Sequence, residues 1–283
     1  MSLVVQTNVP SMAVLRHLNT NNANMNSALE RLSSGFRINT AADDAAGYAI
    51  SSKLSGERGR LEAAGQNASQ ATAMVKMADS AVNEIQNMVA RIQVLSTQAA
   101  SGNNSQDLAK LDSERQKLES QIDKIAHGAQ YNGIDLLGGA GGTSGASITF
   151  QVGASNSAND QIALDFSQSY DTSSNGLSLT GGTVTVFTSQ TAAAAYITTA
   201  TAALSTLTGQ RAGLGATINQ LGYVSQALAS SIEQVAASVS TIKDADMAKE
   251  MANFTKNQVL VQTGTAMLAQ ANAASKNVLA LFR

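Results

Sequence analysis

Apolar residues recur with helical spacing at both ends of the chain and with strand spacing only in its middle. From residue 15 they fall at Leu15, Leu18, Met25, Leu29, Leu32 and Phe36, with Asn22 at the polar position of the series. That heptad seam predicts an amphipathic helix over 8–36. Residues 35–40 read as a break. Thr40, three residues before Asp43, has the spacing of a capping box for a second helix. The widest stripe runs over 71–99 through Met74, Val75, Ala78, Ala81, Val82, Ile85, Met88, Val89, Ile92 and Leu95. Its breadth predicts a helix buried against more than one neighbour. Gly102-Asn103-Asn104 predicts a turn, and Leu108, Leu111, Leu118, Ile122 and Ile125 predict a third helix with that apolar face.

The period then changes. Asn132-Gly133 is a tight-turn signal, and 138–145 is rich in glycine. Ile148 to Val152 and Gln161 to Phe166 alternate with period two, which predicts a short hairpin or meander, and Thr183 to Phe187 is a further candidate strand. Helix returns near Ala192: Leu207, Leu214, Leu221, Leu228, Val235 and Ile242 repeat every seven residues, joined by Leu204, Ile218, Ile232 and Val239. A repeat that long predicts a coiled coil. Met251, Phe254, Val261 and Leu268 extend the helical pattern towards Leu279 and Phe282. The expected fold is mainly α: a long antiparallel helical bundle or coiled coil with a small β-hairpin region mid-chain. A two-helix pairing of the ends leaves apolar faces wet, so the terminal segments are expected to be largely disordered in the monomer and to fold on assembly.

Composition narrows the function classes. Over 283 residues there is one proline, Pro10, so long helices meet no breaker. Tryptophan is absent, aromatics are 4%, and the 43% hydrophobic content fits thin rods with aliphatic cores. Charged residues are 13% and net charge is −2, which gives no basic footprint for nucleic acid or an anionic membrane. No cysteine is present, which excludes disulfides and Cys-ligated metals. No apolar run reaches the roughly 20 residues that span a bilayer. The first twenty residues lack a charged segment followed by an apolar core, so no Sec-type signal peptide is expected.

Candidate chemistry is thin. His17 and His127 are far apart and read as solvent-facing helix residues, not a metal pair. Gly213-Leu214-Gly215 lies inside the heptad run and lacks a third glycine, and no lysine follows 138–145 as a phosphate loop requires. Asp43 and Asp44 are read as first-turn acids complementing a helix dipole, not as a catalytic pair. No enzyme, cofactor or metal site is expected.

Two long motifs carry a family resemblance. Residues 28–39, Ala-Leu-Glu-Arg-Leu-Ser-Ser-Gly-Phe-Arg-Ile-Asn, with Ala41-Ala42-Asp43-Asp44-Ala45-Ala46-Gly47, are similar to the N-terminal signature of bacterial flagellins. Lys243 to Met251, Ala269 to Asn272 and Asn277 to Arg283 resemble the flagellin C-terminal region. The resemblance covers roughly 1–137 and 200–283, in the family's order.

It implies a compact flagellin with little or no outer domain. Segments 1–44 and 245–283 would form the inner filament-core domain, 45–137 and 192–244 the long helices of the outer-core domain, and 138–191 its hairpin region. It implies an open helical homopolymer outside the cell, reached by type III export without a cleaved signal peptide. The partners implied are a flagellin export chaperone, filament cap and junction proteins, and vertebrate Toll-like receptor 5. Arg91, Leu95 and Glu114 match the positions that receptor reads. Leu279 and Leu281 resemble leucines read by cytosolic innate sensors, with Phe282 replacing a leucine common there. The expected polymerisation seam is Leu15, Leu18, Met25, Leu29, Leu32, Met251, Phe254, Val261 and Leu268. The alternatives are a hook–filament junction protein, which shares the terminal helices, and a coiled-coil adhesin or fibre forming a closed trimer.

Overall fold

The computed structural model describes residues 8–104, 106–138, 147–166, 168–173, 176–179 and 187–281. Helices α1 (Val9–Ser34), α2 (Ala45–Ala99), α3 (Leu108–Gly128), α4 (Gln190–Lys243) and α5 (Met247–Leu281) make up most of it. Strands β1 (Gln130–Tyr131) and β2 (Ile134–Asp135) form one antiparallel pair, and β3 (Ile148–Gln151) and β4 (Gln161–Leu164) another. The chain is mainly α with two small sheets in its middle, as the periodicity predicts. It folds as two compact units, Met1–Arg58 with Glu233–Arg283, and Gly59–Ile232.

In the first unit, α1 and α5 lie antiparallel: Asn8 donates from Nδ2 to the Ala271 carbonyl at 3.2 Å, while Arg31 reaches Glu250 at 3.8 Å. Asn8 also caps α1, its side-chain oxygen accepting from the Ser11 amide at 3.1 Å. Pro10 sits in the first turn, where its missing N–H is not needed. Gly35 ends the helix at φ +75°, a left-handed conformation that a side chain disfavours, and its amide donates to the Arg31 carbonyl. Helix 8–36 is thus two residues shorter at its C-terminal end than the pattern suggested.

The expected capping box at Thr40 and Asp43 is only half formed, and it does not start α2. Asp43 Oδ2 accepts from the Asn39 amide at 3.2 Å, the Thr40 amide at 3.0 Å and the Thr40 hydroxyl at 3.1 Å, closing a turn ahead of the helix. These donors hold the Asp43 carboxyl below its ordinary pKa, the Thr40 amide contributing most. Asp44 is the residue that caps α2, accepting from the Gly47 amide at 2.9 Å. Both acids therefore precede the helix and do not occupy its first turn.

The 35–44 connector is tied to the α4–α5 junction. Phe36 and Asp244 form an antiparallel bridge, the Arg37 amide donates to the Lys243 carbonyl at 2.7 Å, and the Ala245 amide donates to the Gly35 carbonyl at 2.9 Å. Lys243 Nζ stands 4.4 Å from the centre of the Phe36 ring.

In the second unit, α2 buries Leu61, Ala64, Ala68, Ala71, Val75, Ala78, Val82, Ile85, Val89, Ile92, Ser96 and Ala99, an uninterrupted 3–4 alternation. Met74 and Leu95 widen it. Helix α4 runs antiparallel to α2, since Gln86 meets Thr208 and Gln93 meets Thr201. It contributes Ala193, Tyr196, Ala200, Ala203, Leu207, Leu221 and Leu228 to the core. The β1–β2 hairpin turns at Asn132 and Gly133, with φ 52° and 77°, the paired left-handed conformations that Asn-Gly favours. Strand β3 is pinned to α2 by Asn67 Nδ2, which donates to the Gln151 carbonyl at 3.0 Å.

Two expectations change here. The sequence pattern predicts a leucine face for α3, but Leu108, Leu111, Leu118 and Ile125 are only half-buried, and the buried row is Asp112, Arg115, Glu119, Ile122 and Ala126. The candidate strand Thr183 to Phe187 falls mostly outside the described residues; Phe187, which is described, is buried but lies in no strand.

The candidate assembly surface

In the single chain α1 and α5 are ordered as paired helices, where the sequence pattern predicts disorder before assembly, and the pairing decides which apolar side chains the chain covers by itself. One row of covered positions on α1 runs through Ser11, Val14, Leu18, Asn21, Met25, Ala28 and Leu32, flanked by half-covered Ala13, Asn22 and Arg31. One on α5 runs through Glu250, Phe254, Asn257, Val261, Gly264, Leu268 and Ala271, flanked by half-covered Asn253. Both sets alternate by three and four, the signature of a two-helix seam. Small residues sit at its tight points: Ala28 is 3% exposed, and a Cβ on Gly264 would come within 3.3 Å of Leu18 Cδ1. Of the nine seam residues expected from the sequence, Leu18, Met25, Leu32, Phe254, Val261 and Leu268 lie in this intrachain seam. Leu15, Leu29 and Met251 do not.

Those three are exposed by 47%, 52% and 53%. They are joined on the outer faces of the pair by Val9, Met12, Met247, Val259, Leu260 and Met267. Burying a single large aliphatic side chain is worth about 1.5–3 kcal/mol. Covering such half-exposed side chains against another copy would favour association.

The other expected site residues separate sharply. Arg91 on α2 and Glu114 on α3 form a surface ion pair, with Arg91 Nη2 2.7 Å and Nε 3.0 Å from Glu114 Oε1. Leu95, one turn on from Arg91, is fully buried and offers no surface. Leu279 and Leu281 lie in the last turns of α5, and Phe282 is outside the described residues. His127 is exposed on α3, its Nδ1 2.8 Å from the Asp123 carbonyl oxygen, and among the described residues no three His, Asp or Glu side chains cluster as a metal site would need. No described helix is long and apolar enough to cross a membrane.

Sequence reasoning missed a buried charge cluster in the second unit. Arg115, 1% exposed, donates from Nε to Asp112 Oδ1 at 2.9 Å and also pairs with Glu119. Its guanidinium lies 5.2 Å from the Phe187 ring centre and 5.0 Å from that of Tyr196. The Tyr196 hydroxyl donates to Glu119, and Asp112 Oδ1 accepts from the Phe187 amide at 3.1 Å. Further along α3, Asp123 accepts from the Thr172 amide at 2.8 Å. These carboxylates capture backbone amides of the mid-chain segment, so α3 works as a polar rail that fixes it. Two carboxylates face one guanidinium, and burial raises the Glu119 pKa against the lowering pull of Tyr196 and Arg115. Burial, helped by the Glu119 charge, also raises the Tyr196 hydroxyl. The one available signal was Asp112, Arg115 and Glu119 at helical spacing on one face.

A terminal helix pair that completes one seam and leaves further large apolar side chains exposed is the build of a self-associating structural subunit. The bacterial flagellin N-terminal helical region matches residues 5–141, and the flagellin C-terminal helical region matches residues 197–282. The 33 kDa flagellar filament core protein of Treponema phagedenis is 36% identical, the match covering 99% of this chain and 100% of the relative. Flagellin of Bacillus subtilis is 34% identical, with 99% of each chain covered. Among solved structures, Bacillus cereus flagellin aligns over 57% of this chain and 88% of its own at 31% identity and a TM-score of 0.50. A putative flagellar hook-associated protein from Vibrio parahaemolyticus aligns over 71% and 100% with a TM-score of 0.58, but at 12% identity it shares the fold alone. The chain belongs to the bacterial flagellin family, and it is a structural subunit of the flagellar filament. Full-length similarity to flagellins does not favour the junction-protein alternative.

Proposed function

We propose that the subunit polymerises through the outer faces of α1 and α5, each copy covering the apolar side chains its neighbours leave wet. The observation that carries this is the exposure of Leu15, Leu29 and Met251 beside an already completed intrachain seam. Contacts repeated between different patches extend as a helical filament when the rotation from copy to copy does not close a ring. Residues 1–44 and 245–283 are then the inner filament core, and 45–137 with 192–244 the outer core that carries the 138–191 region. The subunit leaves the cell by the flagellar type III route without a cleaved signal peptide and functions in the extracellular filament. Its C-terminal segment engages an export chaperone, and its assembly surface meets cap and junction proteins at the filament ends.

Innate recognition by Toll-like receptor 5 uses the exposed Arg91–Glu114 pair, while buried Leu95 supports the helix beneath it. Leu279, Leu281 and Phe282 are the segment offered to cytosolic sensors. The test of the assembly reading is the double variant L15D/L29D. Both positions lie outside the intrachain seam, so the monomer should keep its helical content while seeded filament growth stops. Growth at the wild-type rate would overturn the reading.

A further inference from the structure

With no cysteine in the chain, its sulfur chemistry belongs to methionine thioethers. Five methionines are exposed among the described residues, and four belong to the terminal pair: Met12 at 59%, Met247 at 47%, Met251 at 53% and Met267 at 55%. The fifth, Met77, lies on α2 and is 44% exposed; Met74 beside it is only 1% exposed. The antiparallel register puts Met12 and Met267 towards one end of the α1–α5 pair, and Met247 and Met251 towards the other. All four stand outside the seam that the pair makes with itself. Leucine at these positions would bury a similar apolar area without a reactive sulfur.

We infer that Met12, Met247, Met251 and Met267 are an oxidation-sensitive gate on assembly: a two-electron oxidant of the peroxide class converts them to sulfoxides in the free subunit and stops its addition to a filament. The inference rests on the assembly reading above. In the step, a sulfur lone pair attacks one peroxide oxygen, an S–O bond forms as the O–O bond breaks, and the other oxygen leaves as water. Sulfur loses two electrons and hydrogen peroxide takes them up, so one thioether and one peroxide give one sulfoxide and one water. The product is polar and must lose its hydration to enter an apolar contact. Once a copy has joined the filament, its neighbours cover the same sulfurs and exclude the oxidant. The gate therefore acts before incorporation and leaves finished filaments intact.

Hydrogen peroxide applied to purified monomer and to assembled filaments, followed by peptide mapping and seeded growth, tests this. In the monomer the four sulfurs should oxidise with Met77, well ahead of Met74. The oxidised monomer should show a critical concentration raised by about tenfold or more. Methionine sulfoxide reductases acting on both epimers should restore growth, which excludes irreversible damage. The variant M12L/M247L/M251L/M267L, which keeps Met77, should grow normally after the same treatment. If the leucine variant grows poorly untreated, reductase rescue of the wild-type chain decides the matter. Oxidised monomer that grows normally while the filament protects the four sulfurs would overturn the gate and leave the assembly reading standing. Equal oxidation of the four in monomer and filament would remove the assembly reading itself.

Discussion

Replacing Arg115 by alanine should be among the most damaging single changes to the second unit. The guanidinium is 1% exposed, held by Asp112 at 2.8 Å and by Glu119, and packed against two rings. Removing it strands two carboxylates in a buried site and opens a cavity under Phe187 and Tyr196. Breaking a buried pair from one side costs about 3–5 kcal/mol. In a unit of this size each kcal/mol moves the midpoint by about 2–4 °C, so a fall of about 10 °C is expected. Circular dichroism of purified monomer at neutral pH measures it, and amide exchange should show Phe187 and Thr172 losing protection because α3 no longer holds its carboxylates in place. A midpoint within 2 °C of wild type, as a rough threshold for under 1 kcal/mol, would show that the cluster does not anchor the mid-chain segment.

Glu119→Gln should behave in the opposite way. Burial raises the Glu119 pKa, so the native state holds that proton more tightly than the unfolded chain. Stability from this group then rises as pH falls from above the raised value towards the ordinary value of 4.5, and it declines again as pH climbs. The amide mimics the protonated form, so the variant should unfold no more easily than wild type at neutral pH and should lose this part of the pH slope. A steep loss of stability at pH 7.5 would contradict the assignment. Gly47→Ala should destabilise the first unit by about 1–3 kcal/mol. The new Cβ would stand 2.5 Å from Asp44 Oδ2 and 2.7 Å from Ile38 Cδ1, disturbing both the cap of α2 and a buried side chain. Thermal unfolding of the monomer checks it, and an unchanged midpoint would refute the steric reasoning.

Much of the fold was legible because aliphatic periodicity maps directly onto helix faces. The stripe from Met74 to Leu95 predicted the buried face of α2, with only Ala81 and Met88 less than fully buried. The turn at Asn132-Gly133 and the β3–β4 pairing followed from turn chemistry and period two, while the β1–β2 strands around that turn were too short to show a period. The α1 seam was half legible. Weighting side chains by size selected Leu15 and Leu29, whereas the intrachain seam uses Val14 and Ala28 at the neighbouring positions. Close approach of two helices favours small residues, and the large ones remain outside for another contact. Helix α3 was misread for a different reason. A buried Arg115 becomes affordable only with Asp112 and Glu119 beside it and with Phe187 and Tyr196 arriving from far along the chain, and a count of leucines sees none of this.

Residue-level carbene footprinting of α1 and α5 in monomer and in filament tests the central claim most directly. Leu15, Leu29 and Met251 should label readily in the free subunit and become strongly protected in the filament, while Leu18 and Leu268 in the intrachain seam change far less. Labelling of Leu15, Leu29 and Met251 that is equal in the two states would mean that these faces remain in water after polymerisation, and the filament would have to be held by some other surface.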